Sequence, residues 1–343
     1  MATIVPALTI GAKLGNGFFG EVFLGQDSVH GRVAVKVLAR KPGQADNDWF
    51  NCKTSFLAEA QNLSKAQHRN VVQVHHIQEL PDGNSIRFCM AYCPGGSLQS
   101  TFDDGPMPLL RVRDVGTEVS LGLGALHARG MLHRDIKPGN ILIDGAGVAQ
   151  LGDFGLVTDN LVMGYAEQAG YADHVAHEVW LGGGTSVKTD IWAFGMTMYR
   201  LLHGKTWYEE SPAPRFVVRN GQFSESLEWL PHVPKTWRRA IRKMLNDDPA
   251  LRYQAAAEVL NGLSMLPTVS WHTIVTPNSV RWEQAIVGRS KVVEWTRHDA
   301  RRHEWKAWSE PNGTTGRTRT LGESKGIVPK RQAIRELEQF FAV

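Results

Sequence analysis

His133-Arg134-Asp135-Ile136-Lys137-Pro138-Gly139-Asn140, followed closely by Gly152-Asp153-Phe154-Gly155, is the stretch on which the reading of this chain turns. It places two carboxylates, an amide and an ammonium in two short segments joined through Ile141-Leu-Ile-Asp144. Taken singly, Asp135 or Asp153 reads as a solvated loop carboxylate; several such identities at fixed offsets do not arise by chance. On both sides of this stretch the pattern is helical, at Val115 to His127, Asp190 to Leu202 and Trp237 to Leu245. Further upstream, from Ala7 to about Tyr92, short alternating runs predominate. Ala7–Ile10, Glu21–Leu24, Arg32–Leu38, Val71–Ile77 and Ser85–Met90 read as strands of an antiparallel sheet. One helix interrupts them, with Phe56, Leu57, Ala60 and Leu63 on its apolar face. The turn Cys93-Pro-Gly-Gly-Ser97 separates the two regimes, which predicts a sheet-rich lobe and a helix-rich lobe joined by a short connector.

The sheet-rich part carries Gly15-Asn-Gly17-Phe-Phe-Gly20-Glu-Val22. Glycines let a backbone approach phosphates with no Cβ in the way. In a dinucleotide-binding fold a helix must follow the third glycine. Here Glu21-Val-Phe-Leu alternates like a strand, so the motif reads as a flap folded over a nucleotide. Gly204-Lys205-Thr206 resembles the end of a Walker A loop, but Tyr199 stands where its earlier glycine is required, and a turn after a helix is the better reading. Lys36 closes the apolar run Val33-Ala-Val, and its ammonium must reach something polar. Glu59 lies among the apolar positions of the following helix and could pair with it; two surface charges would be the plainer alternative.

With the glycine loop, Lys36, Glu59, the His-Arg-Asp segment and Asp-Phe-Gly in this order, the chain resembles the eukaryotic-type Ser/Thr protein kinases over roughly Leu8 to Leu263. The resemblance implies an α+β, bilobal kinase fold, with a β-rich N-lobe over 8–91 and a helical C-lobe over 92–265. It implies ATP and Mg²⁺, with Asn140 and Asp153 as oxygen ligands of the metal. Lys36, braced by Glu59, would hold the α- and β-phosphates under Gly15, Gly17 and Gly20. Asp135 would orient the attacking hydroxyl and accept its proton, and Lys137 would neutralise the transferring phosphate. Val22, Ala34 and Leu142 would sandwich adenine, Met90 would be the gatekeeper, and Ala91, Tyr92 and Cys93 the hinge. Asp190 would tie down the catalytic loop, and Glu178 with Arg252 would form a structural ion pair. Lys137 points to Ser/Thr hydroxyls of a protein substrate, with autophosphorylation expected. A nucleotide-binding pseudokinase scaffold and a small-molecule kinase of related fold are the alternatives.

Three departures bear on substrate and control. Ala176-His177-Glu178 stands where the family has Ala-Pro-Glu, and Gly170-Tyr171-Ala-Asp-His174 lacks the usual threonine. Between Asp153 and Glu178 the hydroxyl residues are Thr158, Tyr165 and Tyr171, with no serine. Arg134 is of the type that pairs with an activation-loop phosphate, but the segment has no serine and Thr158 lies too early to be the usual site, so activation without threonine phosphorylation there is expected. His174-x-x-His177 lacks a partner pair at zinc spacing and reads as structural. Cys93, at the edge of the hinge, could meet electrophiles, but nothing in the sequence shows a lowered pKa.

Composition sets the outer bounds. Of 343 residues, 42% are hydrophobic and 21% charged, as in a folded protein. Three cysteines without a CxxC pair suit a reducing compartment, and the N-terminus does not read as a secretory signal. Ile191 to Leu202, the most apolar stretch, contains Arg200 and falls short of the ~20 residues that span a bilayer. A cytoplasmic protein with no membrane partner is expected. Residues 266–343 carry a net +5 against −1 for the rest, and five of the eleven tryptophans. Lys291–Arg297, His303–Trp308 and Arg317–Leu321 read as strands, and Pro329 opens a helix with Ile334, Leu337, Phe340 and Phe341 on one face. This predicts a small three- or four-stranded β domain closed by one helix, with no recognisable family. Its interleaved Trp and Arg could bind nucleic acid, but a half-buried sheet with tryptophans inside is the better reading. Docking a partner or substrate, or covering the cleft, is the functional role expected of it.

Overall fold

Alternating side chains on the run Val33-Ala-Val-Lys36, with β-branched Val33 and Val35 on one face, build the centre of the first sheet. The computed structural model describes residues 7–17, 20–65, 67–152, 172–269, 271–313 and 316–342. Strands β1 (Leu8–Gly17), β2 (Gly20–Asp27), β3 (Gly31–Ala39), β4 (Val74–Glu79) and β5 (Ser85–Ala91) form one antiparallel sheet in the order β1-β2-β3-β5-β4. The register pairs Val22 with Lys36 and Lys36 in turn with Phe88, and Leu24 with Ala34 and Ala34 with Met90, so these six side chains share one face. Val33, Val35 and Cys89 take the other face and pack with Leu8 and Ile10. Helix α1 (Asp46–Lys65) closes one side, where Phe56 and Leu57 meet Leu38, Ile86 and Phe88.

The helical lobe contains α2 (Leu98–Asp104), α3 (Leu109–His127), α4 (Val187–Tyr208), α5 (Lys235–Met244) and α6 (Ala256–Ser264), counting helices of seven residues or more. β6 (Ile141–Ile143) and β7 (Ala149–Leu151) form a short hairpin, and Leu151 also bridges Val71. Helix α4 holds the apolar Ile191–Leu202 stretch. It is buried on nearly all sides, as an all-round hydrophobic helix must be. No helix among the described residues is long and apolar enough to cross a membrane. Gly204 kinks α4 at φ 68°, and a Cβ there would strike the backbone of Gly105. The Gly204-Lys205-Thr206 triplet is therefore a helix kink and not a phosphate loop.

The tail forms a second antiparallel sheet of five strands, in the order β12-β11-β10-β9-β8, not three or four. The strands are β8 (His272–Val275), β9 (Ser279–Ile286), β10 (Arg289–Arg297), β11 (His303–Pro311) and β12 (Arg319–Glu323), followed by α7 (Lys330–Phe341). The extra strands are the β8–β9 hairpin. Its first strand is only four residues long, and Pro277 in its turn masks the hairpin as a linker in sequence. The inner faces of β9, β10 and β11 place Val280, Trp282, Val293, Trp295, Trp305 and Ala307 in the same apolar core as the C-lobe helices. Trp207 of α4 meets Trp295 at 6.2 Å between ring centroids. Tail cations reach C-lobe acids at Arg297–Glu210 (2.7 Å) and Lys330–Glu228 (2.8 Å), and Arg238 of α5 pairs with Glu338 of α7. The tail's +5 thus partly neutralises acidic groups of the body. Four of its five tryptophans are buried, so they are not available for base stacking.

Two histidines sit within this shared core. His203 donates from Nδ1 to the Tyr199 carbonyl (2.7 Å), and His232 packs against Trp282 and Phe341. Burial pushes both down from 6.5 to about 3. A histidine whose folded pKa lies below its unfolded value contributes its full stability above pH 6.5, and loses it as pH falls towards 3. The unfolding free energy should therefore fall by about 2 kcal/mol per histidine between pH 7 and pH 5. Denaturant melts across that range check this, and His232→Phe should flatten the slope. An unchanged slope in that variant would remove His232 from the account.

Candidate active site

The His133–Asn140 loop is built around a buried carboxylate. Asp190, at the start of α4 and 1% exposed, accepts from three donors. These are the backbone N–H of His133 (2.9 Å) and of Arg134 (2.8 Å), and Nε2 of His127 (2.9 Å). Arg134 adopts φ 65°, a left-handed conformation that costs a non-glycine residue of order 1 kcal/mol or more. The two amide bonds to Asp190 hold that turn. Thr197 Oγ1, about two turns further along α4, donates to the Ile136 carbonyl (3.2 Å), and His133 Nε2 lies 3.1 Å from the Gly152 carbonyl.

The turn delivers Asp135, 4% exposed, into a polar triangle. Its Oδ2 accepts from Lys137 Nζ (2.8 Å) and from Asn140 Nδ2 (2.6 Å), and Asn140 Nδ2 also reaches the Asp135 carbonyl (2.8 Å). With its nitrogen committed twice to Asp135, Asn140 presents Oδ1 as the atom it can offer a hard cation. The Gly152 N–H donates to the Asn140 carbonyl (2.9 Å), tying the two short motifs together just before Asp153. Asp153 lies outside the described residues, as do Thr158, Tyr165 and Tyr171. The backbone of Glu59 is in α1; its side chain is outside the described residues.

On the sheet, the shared face carries Val22, Ala34, Lys36 and Met90 together, with Lys36 7% exposed. Gly15 pairs with Val22 and Gly17 with Gly20, so the glycine motif is a β1–β2 hairpin and not a strand-to-helix turn. A Cβ on Gly20 would collide with the Val37 carbonyl oxygen, whereas one on Gly15 would meet open space. Tyr92 and Cys93 follow β5 directly, and Leu142 on β6 borders this segment through its bridge to Ser97. Cys93 is 7% exposed, and burial, followed by the nearby Asp144 carboxylate, pushes its thiol up to about 11. A protonated, buried thiol is a poor nucleophile, in keeping with a sequence that offers nothing to lower its pKa.

Glu178 and Arg252 form a bidentate pair at 2.7 and 2.6 Å, and Arg252 also donates to the carbonyls of Asn246 (2.6 Å) and Lys188 (3.1 Å). His174 is buried and accepts from Arg200 Nη1 (2.8 Å); burial and that guanidinium hold it neutral. His177 Nδ1 bonds the Val218 carbonyl (2.7 Å). Both histidines are structural. His127 and Thr197 escape sequence reading, because neither lies in a motif. His127 is 63 positions from Asp190, and only the packing of α3 on α4 joins them.

A family model for the protein kinase domain matches residues 8–262 and ends before the tail sheet. The chain is 28% identical over 253 residues to the serine/threonine-protein kinase PrkC of Bacillus subtilis, covering 72% of this chain and 38% of that protein. It is 31% identical over 200 residues to the DNA damage-responsive serine/threonine-protein kinase RqkA of Deinococcus radiodurans, covering 56% and 29%. It is 30% identical over 253 residues to mitogen-activated protein kinase kinase kinase 3 of Arabidopsis thaliana, covering 71% and 39%. The chain therefore spans less than two fifths of the length of these relatives. Across most of its length, and through the loop that Asp190 holds, the chain belongs to the protein kinase domain family.

Proposed function

We propose that the chain is an ATP- and Mg²⁺-dependent protein kinase that phosphorylates Ser or Thr hydroxyls of protein substrates, itself included. The observation that carries this is the convergence of Lys137 and Asn140 on one oxygen of Asp135. Phosphoryl transfer asks mainly for positioning and charge neutralisation, and this triangle supplies both beside a carboxylate. Asp135 orients the incoming hydroxyl and takes its proton. Lys137 stands 2.8 Å from that carboxylate and offsets negative charge where the phosphoryl group passes. Lys36, braced by Glu59, holds the α- and β-phosphates, and Gly15, Gly17 and Gly20 bring backbone close to them. Asn140 Oδ1 and the Asp153 carboxylate are the hard oxygens that would hold Mg²⁺, which neutralises the phosphates when bound. Val22, Ala34 and Leu142 enclose the adenine, with Met90, Tyr92 and Cys93 at its edge. In domain terms, 8–91 is the N-lobe, 92–265 the C-lobe, and 266–343 a tail that serves docking or bracing. The free cysteines Cys52, Cys89 and Cys93 suit a cytoplasmic setting.

Incubation with labelled ATP and Mg²⁺ tests the reading. Label should enter the wild-type protein and be absent from Asp153→Asn. Nucleotide binding without any label in the wild type would favour a pseudokinase scaffold instead. Thr158→Ala should keep most of its turnover, because Thr158 lies early in its segment; a collapse of turnover with the fold intact would place control at that hydroxyl.

A further inference from the structure

We propose that Asp27, His76 and Cys89 bind one zinc-class divalent cation on the face of the N-lobe sheet opposite the proposed nucleotide cleft. Asp27 ends β2, His76 lies on β4 and Cys89 on β5, so three strands of one sheet supply the donors. His76 faces Cys89 directly across the β4–β5 ladder, next to a register shift that follows Val74. Cys89 shares its face with Val33 and Val35, away from Ala34 and Lys36. The three ligand atoms lie within 4.8 Å of one another, and Asp27 Oδ2 is already 2.9 Å from His76 Nε2. In a tetrahedral zinc site with bonds of about 2.0–2.3 Å, donors stand roughly 3.3–3.8 Å apart. Small side-chain rotations would close that gap.

The support around these donors is that of a ligand set. Asp27 Oδ1 accepts from the backbone N–H of Val29 (2.8 Å) and of His30 (2.9 Å), which turns Oδ2 towards His76. Asp27 and Cys89 are each 1% exposed, while His76 is half-buried and offers a way in. The His30 and His75 rings stack at 3.9 Å beside the site, and His30 lies 6.5 Å from the His76 ring. Mixed sulfur, nitrogen and oxygen donors favour zinc over Mg²⁺, which prefers oxygen alone. The site is thus chemically distinct from Asn140 and Asp153. Without a cation, burial holds the Cys89 thiol protonated, at about 11. On binding, the S–H bond breaks, a metal–sulfur bond forms, and the proton leaves to solvent. The plain alternative is an Asp27–His76 ion pair beside a core thiol. A bound cation would clamp the β2–β3 turn to β4 and β5.

The test uses the full chain, stripped with chelator and kept reduced with a non-thiol reductant, then titrated with Co²⁺. One equivalent should produce a near-ultraviolet thiolate-to-cobalt absorption that Zn²⁺ abolishes and millimolar Mg²⁺ does not. Cys89→Ser should lose the band and Cys52→Ser keep it. Because Cys89 is in the core, His76→Gln provides the second reading: its affinity should fall about tenfold or more, and Zn²⁺ should raise the melting temperature of the wild type only. No binding of Co²⁺ or Zn²⁺ by the wild type would overturn the proposal and leave a simple ion pair. So would a band of equal strength in Cys89→Ser or an unchanged affinity in His76→Gln.

Discussion

Asp135→Asn should lower kcat for phosphoryl transfer by about 10²–10⁴-fold, the range general-base catalysis contributes, while leaving nucleotide affinity and the unfolding midpoint close to wild type. Asparagine keeps the volume of the side chain, and its amide oxygen can still accept from Lys137, now 2.8 Å away. The Asp190 cradle is untouched, so the turn at Arg134 stays formed. What disappears is the negative charge that, on the proposed reading, draws the proton from the hydroxyl. Label transfer measured beside nucleotide titration separates the two effects. Turnover within tenfold of wild type would show that the proton leaves by another route.

The largest effect on stability should come from Glu178→Ala, at about 3–5 kcal/mol. Arg252 has no exposed side-chain surface, so removing its partner strands a guanidinium that water cannot reach. The carbonyls of Asn246, Lys188 and Asp247 still accept from it but bring no compensating charge. The reverse change, Arg252→Met, should cost less. It leaves behind a carboxylate one-fifth exposed, which rehydrates, and methionine fills most of the volume. Denaturant melts of the two single variants check the order. If Arg252→Met proves the costlier, the carbonyl bonds and not the charge pair hold the segment.

The kinase motifs were readable because each is a short run whose residue types answer a local demand. Glycines in a hairpin permit close approach, a lysine closes an apolar strand, and a carboxylate and an amide stand five positions apart on one turn. The lobes were readable because, helix α1 and the β6–β7 hairpin apart, period-two patterns precede Cys93–Ser97 and period-3.6 patterns follow it as far as the tail. The tail was only partly legible. Its β8–β9 hairpin hides behind a proline, and its tryptophans look alike whether they face solvent, nucleic acid or a helix. The state of the hinge cysteine is illegible for a related reason: burial and then Asp144 raise the pKa of Cys93, and its neighbours in sequence reveal neither.

From its order of residues alone this chain specified the glycine hairpin, the His-Arg-Asp turn and the two lobes, since each depends on contacts between near neighbours. Tertiary packing decided the rest: that His127 completes the cradle of Asp190, that the tail sheet shares a core with α4, and that Asp27, His76 and Cys89 meet on one face. Those meetings join positions tens of residues apart. Burial and electrostatics act through space, so no local pattern could announce them.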